Sequence, residues 1–122
     1  DLLCELVRFK LEAIGHEVDI VEDGEAAWNI LSSRGSDLLI LDSMMPVMSG
    51  PELLQKIRED SGLNDLPVIM LTARKSQDDV TYALRQGASD YLTKPFMPDE
   101  LVLRVSSLLS RRGGEFEDAK PQ

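Results

Sequence analysis

Residues 38–41, Leu-Leu-Ile-Leu, are apolar at consecutive positions between Asp37 and Asp42. A strand with one wet face alternates polar and apolar residues, whereas a continuous run suits a parallel strand covered by helices on both faces. The chain must then supply those covering layers, and its periodicity does so. Leu2, Leu3, Leu6, Val7, Leu11 and Ile14 recur at three- and four-residue spacing, with Glu5, Arg8, Lys10 and Glu12 between them. This is an amphipathic helix, and Gly15 ends it.

Residues 17–21 are a short β-branched run and predict a strand; Asp23-Gly24 closes it and opens a helix through Ala26, Ala27, Ile30 and Leu31. After a loop with Pro46 and Gly50, Leu53, Leu54 and Ile57 predict a helix ending near Ser61-Gly62, and Pro67 introduces the strand 68–71. Ser76 to Gln86 predicts a helix with Ser76 as N-cap, Asp78 and Asp79 favouring its dipole and Gly87 past its end. Tyr91 to Thr93 is a brief strand. The last helix starts at Pro98, carries Leu101, Val102, Val105, Leu108 and Leu109 on its buried side, and is expected to stop at Arg111-Arg112 and Gly113-Gly114. Strands alternating with helices imply right-handed crossovers and a doubly wound α/β fold with a parallel sheet.

Composition narrows the class further. With 43% hydrophobic and 29% charged residues, no apolar stretch approaches the ~20 residues of a membrane helix, so no membrane association is expected. The sole cysteine, Cys4, can form no intrachain disulfide, and no signal-peptide pattern is present; the expected compartment is the cytoplasm. A formal net charge of −9 disfavours direct contact with nucleic-acid phosphates, so a role in transcription requires an output domain outside this chain. His16 has no Cys or His partner at ligand spacing and reads as a turn residue. Trp28 and the methionines read as packing.

Three polar residues fall at the carboxyl ends of successive predicted strands: Asp42, Thr72 and Lys94. That edge of an open parallel sheet is where ligands bind. A carboxylate can act as nucleophile toward a phosphoryl group, and the transfer then needs positive charge and a donor beside it. Taken singly, a strand-end Asp is more often a turn residue, a Thr a β-former and a Lys a surface charge.

Taken together with their surroundings, they carry a resemblance. Residues 39–50 (LILDSMMPVMSG), 68–73 (VIMLTA) and 87–96 (GASDYLTKPF) resemble the phosphoacceptor loop, fourth strand and fifth strand with its following loop of response regulator receiver domains. The likeness runs over residues 1–112, with 113–122 read as a flexible tail or linker start. It implies the CheY-like, flavodoxin-like three-layer sandwich. It also implies that Asp42 accepts phosphate from a histidine kinase, a phosphotransfer protein or a small phosphodonor. Lys94 would pair with the phosphoryl oxygens, the Met44 backbone carbonyl and Asp42 would ligate Mg²⁺, and the bond before Pro95 would be cis. Thr72 and Tyr91 resemble the switch pair that relays phosphorylation to the face made by the family's fourth helix, fifth strand and fifth helix. Met44 and Arg74 would flank the phosphoryl group. Asp90, Glu100 and Arg104 resemble parts of the charged face through which DNA-binding regulators form homodimers.

One part of the pattern is missing. The family's acidic pair, which helps hold Mg²⁺, would precede Asp1 by two and three residues, and Asp1 itself reads as a helix cap. Mg²⁺ binding is therefore expected to be weakened or absent. The first, central strand is missing with it, and we read the chain as N-terminally truncated. The haloacid-dehalogenase type of phosphohydrolase wants a second Asp two residues after its nucleophile, where Met44 stands, so an enzyme is not expected. A phosphate-independent interaction module is the other alternative. Gly113-Gly114-Glu115-Phe116 lacks the second acid and the long domain of a diguanylate cyclase signature.

Overall fold

The computed structural model describes residues 2–73 and 77–117. In chain order the elements are α1 (Leu2–Ala13), α2 (Gly24–Ser33), β1 (Leu39–Asp42), α3 (Gly50–Glu59), β2 (Val68–Thr72), α4 (Gln77–Arg85), β3 (Asp90–Thr93) and α5 (Pro98–Glu117). They fall into two compact units, Ile20–Pro95 and Asp1–Asp19 with Phe96–Gln122.

Local chemistry sets the boundaries inside the first unit. The Asp23 carboxylate accepts the Ala26 N–H (2.7 Å) and caps α2. At α3 the Ser49 hydroxyl accepts the Glu52 N–H (3.3 Å) while the Glu52 carboxylate accepts the Ser49 N–H (3.2 Å). This reciprocal cap satisfies two helix-end donors, and Pro51 in the first turn loses no bond by lacking an N–H. The loop after β1 is thereby given a fixed end.

The three strands form a parallel sheet in the order β1-β2-β3. Leu39 pairs with Val68 and Leu41 with Met70, and Met70 in turn with Tyr91. Paired residues in a parallel ladder share a face. Leu39, Leu41, Val68, Met70 and Tyr91 therefore look the same way, into a cluster with Ala27, Leu31, Leu53, Leu54, Ile57, Ala83 and Ala88. Leu53, Leu54 and Ile57 are fully buried there, and burial of each such side chain stabilises by about 1.5–3 kcal/mol. Ile69 and Leu92, of opposite parity, are buried too.

In the second unit, α1 packs with α5. Val7 and Leu11 are buried on α1, and Leu101, Val105 and Leu108 on α5, at the spacing of one helix face. Lys10 pairs with Asp99 at 2.9 Å.

Two expectations are corrected. Residues 17–21 are not a strand: a strand exists through its ladder, and no described residue forms one with them, so the sheet holds three strands. The last helix does not stop at Gly113-Gly114 but runs to Glu117. Glycine inside a helix costs about 1 kcal/mol relative to alanine, which weakens a helix without breaking it. The caps expected at Asp1 and Ser76, the flanking position Arg74, and the tail residues 118–122 lie outside the described residues.

Candidate functional site

The parallel register brings three strand ends to one edge. Asp42 is the last residue of β1 and Thr72 the last of β2, while Lys94 follows β3 directly. Hydrogen bonding continues past the strands, with the Ser43 N–H donating to Leu71 O (2.9 Å) and the Lys94 N–H to Thr72 O (2.8 Å). Backbone geometry thus holds Asp42, Thr72 and Lys94 at one level.

The Lys94 ammonium donates to Asp42 Oδ2, closing an ion pair between residues 52 apart in sequence. The other carboxylate oxygen, Oδ1, accepts the Met44 N–H at 2.9 Å. Asp42 therefore presents an oriented carboxylate, one oxygen on a cation and one on the backbone. Both side chains keep about a third of their surface, 35% for Asp42 and 37% for Lys94, so a small reactant can reach them. A pair this exposed contributes about 1 kcal/mol or less to stability. Its value is positional.

Thr72 lies on the opposite face of the sheet from Asp42 by strand parity, and it is the buried polar side chain among the described residues, 3% exposed. Tyr91 shares that face: it pairs with Met70, two residues before the Thr72–Thr93 pair, and packs half-buried against the core. The Lys94–Pro95 peptide bond is cis. Met44 exposes 78% of its surface. Asp90 is on β3, and Glu100 pairs with Arg104 (3.3 Å) within α5.

Three features around the edge escaped the sequence reading. The Ser-x-x-Glu spacing of residues 49–52 signals the α3 cap, and it anchors the loop 43–49. Gly50 packs so closely that a Cβ there would lie 2.6 Å from Asp42 O and 2.7 Å from Ser43 Cα. Only glycine fits. Val47, 74% exposed, has φ +68°, a left-handed conformation that a β-branched residue adopts under strain.

The fit to Mg²⁺ can be judged from the donors. The ion demands near-octahedral oxygen ligation built on one or two carboxylates. Here Asp42 is the carboxylate, and both its oxygens already accept bonds. Among the described residues no group of three or more His, Cys, Asp or Glu converges to hold a metal. Asp42 and the Met44 carbonyl do not by themselves make a Mg²⁺ site.

Comparison with known proteins places the chain in a family. The family described as response regulator receiver domain matches residues 1–106. The chain is 44% identical over 111 residues to the phosphate regulon transcriptional regulatory protein PhoB of Rhizobium meliloti, covering 91% of this chain and 49% of that protein. It is 41% identical over 113 residues to the sensory transduction protein RegX3 of Mycobacterium bovis, covering 93% and 48%. The chain thus spans about half the length of the curated relatives it matches. Among solved structures, the receiver domain of a Francisella response regulator superposes with a TM-score of 0.85 at 34% identity, covering 91% of this chain and 90% of that one. A response regulator of Chloroflexus aurantiacus does so with 0.83 at 34%, covering 90% of each. The fold is the flavodoxin-like α/β fold of these neighbours.

Proposed function

Since this chain belongs to the response regulator receiver family, the phosphoacceptor domains of two-component signalling, we propose that Asp42 is the residue phosphorylated. The observation that carries this reading is the Asp42 carboxylate held between the Lys94 ammonium and the Met44 N–H at the carboxyl edge of the sheet. An Asp42 oxygen attacks phosphorus, the new O–P bond forms, and the bond from phosphorus to the donor's leaving atom breaks, with its electron pair leaving on the donor. The Lys94 ammonium then passes from the carboxylate to the phosphoryl oxygens, where negative charge has gathered. The Thr72 hydroxyl turns to donate to one of those oxygens, and the Tyr91 ring moves into the space it leaves. The surface carried by α4 and β3 changes with them, a local charge event read out by a two-state element.

Mg²⁺, when bound to a receiver, would neutralise phosphoryl charge, and the groups of this chain that would help hold it are the Asp42 carboxylate and the Met44 carbonyl. The domain catalyses only its own phosphorylation and dephosphorylation. Its phosphodonor is a histidine kinase or phosphotransfer protein, and the compartment is the cytoplasm. Among the described residues no helix is long and apolar enough to cross a membrane. A second copy of the chain is a further partner. With a net charge of −9, contact with nucleic acid would need an output domain outside this chain.

Incubation with acetyl phosphate and Mg²⁺ tests this reading. The intact mass should rise by one phosphoryl group, and Asp42→Asn should abolish the rise; label retained in the variant removes Asp42 from its role. An unlabelled wild-type protein would select the second reading, a phosphate-independent interaction module.

A further inference from the structure

Far from Asp42, at the amino edge of the sheet, a second cation grips the backbone. Arg58, in the last turn of α3, donates from Nε and Nη2 to the Gly87 carbonyl at 2.9 and 2.7 Å, and from Nη1 to Asn64 O at 3.4 Å. A planar guanidinium holding one oxygen with two N–H groups fixes direction as well as distance. Gly87 lies in the turn two residues past the end of α4. Its N–H donates to Leu84 O (3.1 Å) and the Ala88 N–H to Ala83 O (3.1 Å), so the turn closes back on the helix.

Two residues later the chain is tied again: the Ser89 N–H donates to Val68 O (2.8 Å), and the Ser89 hydroxyl accepts the Val68 N–H (3.0 Å). The turn has φ +108° at Gly87, and the space where a Cβ would sit is filled by Arg58, whose Nε is 2.9 Å from it. Burial holds the Arg58 guanidinium below its ordinary pKa, with Asp65 opposing that shift.

We propose that Arg58 is a positioning residue that pins the carboxyl end of α4, so that a change begun at Thr72 on phosphorylation stops at Gly87 and does not enter α3. The idea rests on the reading of Asp42 as phosphoacceptor and of α4 and β3 as the responding surface. It adds what bounds that response. The Thr72 end of β2 leads into α4, and the other end of α4 is held through 29 residues of sequence to a different helix. With one end fixed, a displacement of α4 becomes a rotation about Gly87. Without the pin, the same displacement carries the turn 87–89 with it and loosens residues 58–66.

Amide hydrogen exchange, with and without acetyl phosphate and Mg²⁺, measures this directly, the labelled fraction being read in parallel from intact mass. In the wild-type protein, phosphorylation should alter exchange in α4 and β3 and leave Gly87 to Ser89 and residues 58–66 unchanged. In Arg58→Ala the phosphorylation-dependent change should reach both segments, on the order of tenfold for a lost charge-assisted bond. A merely structural role would raise exchange equally in both states, so only the difference between states counts. Arg58→Lys, which keeps the charge and loses the fork, should give the same spread in weaker form and stands in should Arg58→Ala fail to fold. Variants whose difference maps match the wild type overturn the pin alone. A labelled wild-type protein with no change in α4 and β3 overturns the switch and the pin together, and a protein that takes no label removes the phosphoacceptor reading on which both rest.

Discussion

The two ends of the sheet are each closed by a cation, and the two closures are of opposite kinds. At the carboxyl edge Lys94 meets Asp42 by a single ammonium, with both side chains about a third exposed. At the amino edge Arg58 meets the Gly87 carbonyl by a fork of two bonds in a half-buried setting. A compact, strongly hydrated point charge can pass to a new anion with little reorganisation, whereas a planar fork locked on a backbone oxygen cannot. On the proposed reading the chemistry of each residue suits its place: an exchangeable contact where phosphoryl charge would arrive, and a permanent one where structure would hold.

That contrast is broken most sharply at Lys94. Lys94→Ala should slow acetyl phosphate labelling by about 100-fold, the usual scale for removing one charge-stabilising donor. It should leave the unfolding midpoint in urea nearly in place, because an exposed pair contributes about 1 kcal/mol or less. A labelling rate within a few-fold of wild type would show that Lys94 only screens the resting carboxylate.

Arg58→Ala is the reverse case. Losing hydrogen bonds from a charged donor in a partly buried site should cost about 2 kcal/mol, read as a lower urea midpoint at unchanged slope. The initial labelling rate at Asp42 should stay within about twofold, since the hydrogen bonds of Arg58 go to Gly87 O and Asn64 O at the other end of the sheet. Comparable losses of stability in the two variants would erase the distinction between the ends.

The carboxyl edge was legible in the sequence because strand parity and a local motif coincide there. A run such as Leu38 to Leu41 announces a buried strand, and the residues that end successive strands must share an edge. Asp42, Thr72 and Lys94 group together on sequence alone, and residues 39–50 and 87–96 carry the family resemblance. The Arg58–Gly87 contact had no such signal: Arg58 looks like any basic residue in a last helical turn, and its partner is a carbonyl, which every residue has. The missing strand at 17–21 failed for a related reason, since β-branched composition states a preference while the ladder needs a neighbour. At Gly113-Gly114 the turn signal lost to helix continuation, because a glycine marks a helix end only where the backbone adopts a left-handed conformation.

The smallest expected effect lies at Val47, in the loop that follows Asp42. Its φ of +68° places a β-branched residue in the left-handed region, and with 74% of its surface exposed it gains little burial in return. Such a conformation costs about 1–2 kcal/mol, and glycine adopts it freely while losing about 0.5–1 kcal/mol more chain entropy on folding. Val47→Gly should therefore stabilise the protein by up to about 1 kcal/mol, seen as a higher urea midpoint. No comparable strain marks the Arg58 end, where the positive φ falls on Gly87, a residue that tolerates it. A gain in stability with an unchanged labelling rate would mean that the strain is incidental to the site. A gain accompanied by slower labelling would place the strain in the positioning of the Met44 N–H on Asp42, and make the carboxyl edge the end of the sheet where stability is spent on geometry.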